Sequence, residues 1–376
     1  MGFDSSGKFT YDDLENKYKG FLAPDYEIKV GGTTIESVKV PVSDLTIELN
    51  VDKACSASFT VESLYDFEKS DWADKFVAKL NVGDKVEIQA GYAGSRKRIF
   101  LGYVDSYSIG FSNSGAPTVD IVAMDATMLM QNDKQEIDFG KKTYKDAIEE
   151  LIKGCMVGDL VEKMTIGAIP KAGDDKDQII VKDEQYSVHK YLSMLAQLLS
   201  YQFCVLDGEL LFKNLMENTT PITTLTMGET LLSFKKRVGL SSAMVGKVVV
   251  KSTGDTKNVE PVKAECKASS LPGSGKAPSD LVKAIGAAIA EISLSSATTK
   301  EDCENAAKAL MQQLTDGFVQ ADGSCIGVPE LTPGRFITLK GLDKRSNGDY
   351  FMTSVKHRFS DSGYTCSFHL KGYKCS

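Results

Sequence analysis

Histidine and tryptophan are scarce in this chain, and neither paired cysteines nor a long apolar run occurs in it. Three histidines among 376 residues, His189, His357 and His369, are too few for a histidine-rich metal centre, and none has a carboxylate or cysteine at ligand spacing. His357 and His369 are the one pair worth weighing; each reads more simply as a polar-face residue or a member of a hydrogen-bond network in a strand. Eight cysteines (Cys55, Cys155, Cys204, Cys266, Cys303, Cys325, Cys366 and Cys375) stand singly, without a C-x-x-C pair. Reduced, mostly buried thiols are therefore expected rather than zinc ligands or a disulfide framework. Nowhere do eighteen apolar residues run together, and the N-terminus has no apolar core of the signal-peptide kind. The expectation is a protein made in the cytoplasm without a membrane anchor. With 44 Lys and Arg against 51 Asp and Glu, a net charge of -7, the basic clusters that grip phosphate are missing, so tight nucleic-acid binding is not expected.

Catalytic frames are missing too. No G-x-S-x-G or H-E-x-x-H surrounds any of the many serines and acidic residues, and the clusters Asp174-Asp175 and Asp133 to Asp138 read as solvated loops. Gly31-Gly32 lacks the lysine and following helix of a phosphate loop and reads as a hairpin turn. No catalytic, cofactor-binding or metal-binding residue is nominated.

What the chain does carry is alternation. Leu45, Ile47, Leu49 and Val51 occupy every second position, as do Ile99, Leu101, Tyr103, Tyr107, Ile109 and Phe111, which predicts half-buried strands across the segment 24–138. The period then changes. Tyr144, Ile148, Leu151 and Ile152 fit a helix capped by Thr143, and Val188, Tyr191, Leu192, Leu195, Leu198 and Leu199 fit a second, from near Ser187. Asp207-Gly208 marks a hairpin after it. Strand character returns from Thr224, interrupted by a Lys-, Ser-, Gly- and Pro-rich insertion over 252–297. There Leu281, Val282, Ile285, Ala288, Ile289 and Ile292 predict one helix, and Thr299 with Asp302 caps another running through Leu314. The insertion is expected to pack against a neighbouring chain.

The segment Asn81 to Tyr92 and its sequel lie over Leu331 to Leu342 and its sequel. Gly83 matches Gly334 and Gly91 matches Gly341; a long strand, a turn and a return strand follow in both copies. Two related β-domains are expected. Pro333-Gly334, Ile337, Leu339, Gly341, Tyr350, Met352, Val355, His357, Phe359, Gly363, Tyr364 and Phe368 carry a pattern that resembles the phage late-control D proteins. Tyr201, Phe203, Gly208, Leu210 and Phe212 extend it to the middle of the chain, as do Gly228, Leu231 and Phe234. Cys366 departs from the pattern, standing where Thr or Ser would be.

The resemblance implies an α+β, β-dominated fold. It has two tube-protein-like antiparallel β-barrel domains (24–138 and 224–376, the second with the insertion 252–297), an α+β insert (139–223) and an N-terminal extension (1–23). It also implies a structural, non-enzymatic baseplate hub of a contractile phage tail, tailocin or extracellular injection system. Such a hub is a homotrimer that adapts a hexameric tail tube to a separate threefold spike and contacts baseplate wedge components. His357 matches the family pattern as a structural residue. The competing expectation is a tail-tip peptidoglycan hydrolase.

Overall fold

Leu45, Ile47 and Leu49 are buried while Thr46, Glu48 and Asn50 face outward, the alternation of a strand with one face on a core. The computed structural model describes residues 8–35, 40–62, 65–72, 76–113, 115–132, 136–138, 144–154, 158–167, 181–182, 184–240, 243, 245–252, 262–273, 275–282, 288–294 and 300–375. A short helix, α1 (Tyr11–Lys17), opens it with a capping box between Thr10 and Asp13. Nine strands follow: β1 (Pro24–Val30), β2 (Thr33–Thr34), β3 (Val42–Asn50), β4 (Ser56–Glu62), β5 (Tyr65–Asp66), β6 (Asp71–Trp72), β7 (Lys85–Tyr92), β8 (Ser95–Gly110) and β9 (Thr118–Met124). Gly31 and Gly32 turn β1 into β2 at φ of 53° and 82°, as expected of that pair. The lateral order is β3-β4-β9-β8-β7-β1.

An α+β insert follows. It comprises α2 (Ala126–Asn132), β10 (Ile137–Asp138), α3 (Tyr144–Gly154), β11 (Lys163–Ile166), β12 (Val181–Lys182), α4 (Val188–Leu198), β13 (Gln202–Leu206) and β14 (Glu209–Lys213). Ile148, Leu151, Ile152, Val188, Leu192, Phe203 and Phe212 form its own core. Ser187 caps α4, its side chain accepting from Lys190 N at 3.2 Å. The expected hairpin is there, with Asp207 and Gly208 at φ of 48° and 76°. Thr143 and Asp174-Asp175 lie outside the described residues.

The second run of strands is β15 (Pro221–Thr226), β16 (Leu231–Val238), β17 (Val245–Ser252), β18 (Lys263–Lys267), β19 (Ala288–Leu294), β20 (Val319–Ile326), β21 (Phe336–Lys340), β22 (Gly348–Ser360) and β23 (Gly363–Gly372), with α5 (Pro278–Val282) and α6 (Lys300–Thr315) between. One expectation fails here. Leu281 to Ile292 is not a single helix: α5 ends at Val282 and Ala288–Leu294 is a strand parallel to β17. A run of Ala and Ile fits either period. The apolar Val248 to Val250 of β17, already paired with β18 on its other side, offers a backbone ladder that outweighs a short helix. Helix α6 packs along β17 and β18 through Cys303, Ala306, Ala307 and Met311.

The two expected antiparallel β-domains are the two halves of one 13-stranded sheet. In the second half the order is β16-β20-β23-β22-β21-β15, strand for strand that of the first. Even irregularities recur. β8 slips register against β9 between Val104 and Ser106, and β22 slips against β23 between Met352 and Ser354. Gly83 N donates to Val104 O at 2.8 Å, and Gly334 N donates to Met352 O at 2.8 Å, both glycines having positive φ. The halves differ in one strand: β1 is antiparallel to β7, whereas β15 is parallel to β21. They join at a seam where Ser354 to Arg358 of β22 pairs with Asn50 to Thr46 of β3. A single apolar core runs across it.

Candidate functional site

The seam encloses a buried polar cluster. His357 is fully buried between Leu331 O, 3.1 Å from Nε2, and Tyr364 Oη, 2.7 Å from Nδ1. A carbonyl only accepts, so Nε2 carries the proton and Nδ1 accepts from the Tyr364 hydroxyl. Burial pushes that hydroxyl well above the usual tyrosine range. Cys366 Sγ lies 3.2 Å from Nδ1 and receives Val328 N at 3.4 Å. The departure from the family pattern at Cys366 thus falls where a small, weakly polar side chain packs against the imidazole.

Nearby, the buried Glu330 accepts through Oε1 from Tyr18 Oη at 2.7 Å and Lys17 Nζ at 2.5 Å, and Tyr92 Oη donates to Gly327 O at 2.8 Å. With Phe9 N donating to Ile222 O, the α1 segment straps the first half of the sheet to the second.

The other histidines stand apart. His189 packs on the Phe203 ring at 5.6 Å, and burial lowers its pKa. His369 is on the solvent face of β23, its Nδ1 against the Asp322 carboxylate. His357 and His369 therefore occupy opposite faces. Among the described residues no group of three His, Cys, Asp or Glu is placed to hold a metal.

The outer face of the joined sheet is a mixed-charge surface. Lys356 pairs with Glu48 across the seam, Arg358 Nη2 is 3.8 Å from Asp44, Thr60 Oγ1 donates to Asp120 at 2.7 Å, and Ser233 bonds Ser324 at 2.6 Å. A depression of about 400 Å³ lies here, lined by Glu48, Asn50, Lys53, Asp322, Lys356 and His369 among others. Beside it the cations Lys356 and Arg358 are balanced by cross-strand carboxylates. The insert is anchored separately: Arg98 reaches Asp207 Oδ1 at 2.6 Å and Glu162 at 2.5 and 3.0 Å. Burial nonetheless pushes the Asp207 carboxyl up to about 6.

Sequence reading passed over one surface feature. Tyr65, Trp72 and Phe111 cluster with ring centroids within 5.9 Å of one another beside Phe67, Trp72 stacked on Phe111 and Tyr65 edge-on to both, at the exposed end of β8. The run YDFEKSDW, aromatic yet bounded by charges, was its only signal.

This fold has known relatives. The chain is similar to the tail protein of prophage MuSo2 from Shewanella oneidensis (15% identity, TM-score 0.63, 93% of this chain and 98% of that one). It is similar to a tail protein from Neisseria meningitidis MC58 (12%, TM-score 0.63, 93% and 96%). An E. coli component of the type VI secretion system also shares the fold (10%, TM-score 0.55, 92% and 77%). At such identities the likeness is one of fold. No curated protein matches the sequence. The family model described as the Alg8 N-terminal domain matches residues 23–361, and the chain belongs to that family.

Proposed function

We propose that the chain is a structural component of a contractile phage tail or related injection machine, specifically its baseplate hub. The observation that carries this reading is the duplication: one chain holds two halves with the same strand order and the same bulge. Three copies would present six such units to a hexameric tail tube and three identical faces to a separate spike, with wedge components around them. The resemblance to late-control D proteins and the fold shared with tail proteins support it. The units are a first barrel domain over 24–138, an α+β domain over 139–223 and a second barrel domain over 224–376 carrying the insertion 252–297, preceded by the extension 1–23. The chain does no chemistry in this reading; it is made in the bacterial cytoplasm and built into the particle.

Light scattering on the purified full chain is expected to give a mass three times that of the 40.8 kDa chain, and a larger complex containing three copies of it when its tail tube protein is added. A zone of clearing on a peptidoglycan zymogram would overturn the structural reading in favour of a cell-wall hydrolase.

A further inference from the structure

The seam inside the chain serves as a template for a seam between chains. We propose that a second copy docks by strand addition, Ser106 to Gly110 of β8 in one copy pairing antiparallel with the outer edge of β16 in the next, Tyr107 opposite Val238 and Ile109 opposite Lys236. This deepens the hub reading and rests on it for the closure of the ring.

The register follows from the repeat. Val104 corresponds to Met352 by its bulge and by its hydrogen bond to a positive-φ glycine. Ser106 to Gly110 then corresponds to Ser354 to Arg358, the stretch that pairs with β3. On the other side, Thr46 faces Ser58 and Lys235 faces Asp322 in strands that themselves correspond, so Lys235 to Val238 takes the place of Thr46 to Leu49. Among the described residues, β16 has one strand partner, β20, and β8 beyond Val104 has one, β9.

Exposure fits an uncovered seam. Within the chain Val355 and Leu49 meet at 1% and 3% exposure; their counterparts Tyr107 and Val238 are 40% and 46% exposed, and Ile109, in the place of the buried His357, is 45% exposed. Apolar side chains in solvent at the very positions a seam covers are the mark of a missing partner. The charges are complementary as well. Lys235 and Arg237 are exposed on β16 beside Lys236, while Asp105 of β8 and Asp120 of the adjacent β9 are exposed; the internal seam is crossed by the pairs Lys356–Glu48 and Arg358–Asp44. Because the two edges differ, the contact is head-to-tail, and successive copies close into a ring when the rotation allows.

The test is disulfide trapping in the full chain. Tyr107→Cys with Val238→Cys, oxidised and run without reductant, is expected to give covalent dimers and larger closed species, with a 107–238 linkage found by mass spectrometry. Tyr107→Cys with Arg237→Cys, one residue out of register and on the opposite face, is expected to give at least tenfold less. If the chain assembles but the first pair links no better than the second, the strand-addition seam is wrong while the hub reading stands. If the unmodified chain stays monomeric, alone and with its tube protein, the hub reading fails and the proposal fails with it.

Discussion

His357 satisfies two buried groups at once, the Leu331 carbonyl and the Tyr364 hydroxyl. Replacing it with Ala removes both partners and leaves a void, so His357→Ala is expected to lower unfolding free energy by roughly 2–4 kcal/mol, read by denaturant titration. Asp125 presents a different case. Its carboxylate accepts from Cys55 N and Thr127 N at 3.0 Å each, yet burial raises its pKa from 3.8 to about 6. A raised acid binds more protons folded than unfolded between those two values, so stability declines as pH climbs from about 4 to about 6, by up to about 3 kcal/mol. Asp125→Asn, which keeps an acceptor and removes the titration, is expected to flatten that part of the melting-temperature profile. Neither environment was legible in sequence. Alternation placed His357 in a strand and allowed it a hydrogen-bond network, but its partners lie 7 and 26 residues away, beyond any local pattern.

At the scale of the element, strands and turns carried clear signals because their causes are local. Gly208 sits at φ 76° in the β13–β14 turn, and a Cβ there would come 2.6 Å from Leu101 Cδ2. Gly208→Ala is therefore expected to cost roughly 1–2 kcal/mol and to loosen the insert against β8. Arg98 holds the same junction. Arg98→Ala is expected to speed amide exchange in β11, β13 and β14 while leaving β22 and β23 protected, as hydrogen-exchange mass spectrometry would show. The misread Ala288–Leu294 differs in kind: its seven residues take their state from the β17 edge beside them, which their own spacing does not encode. The repeat was visible as glycines and strand order, whereas the reversal of β15 relative to β1 left no mark in composition.

Across the whole molecule, the continuous core makes the two halves one cooperative body. Leu49→Asp puts an unpaired charge into the seam, at a residue 3% exposed, and is expected to lower the stability of both halves together by at least about 3 kcal/mol, with a single calorimetric transition shifted rather than two separated ones. Mutual dependence of this kind has a consequence in time. The edge of β3 that ends at Asn50 waits for Ser354 to Arg358 of β22, about 300 residues further along the chain. At synthesis rates of about 5–20 residues per second, that edge stays open for roughly 15–60 s on the ribosome, long enough to be captured by another nascent chain unless a chaperone shields it.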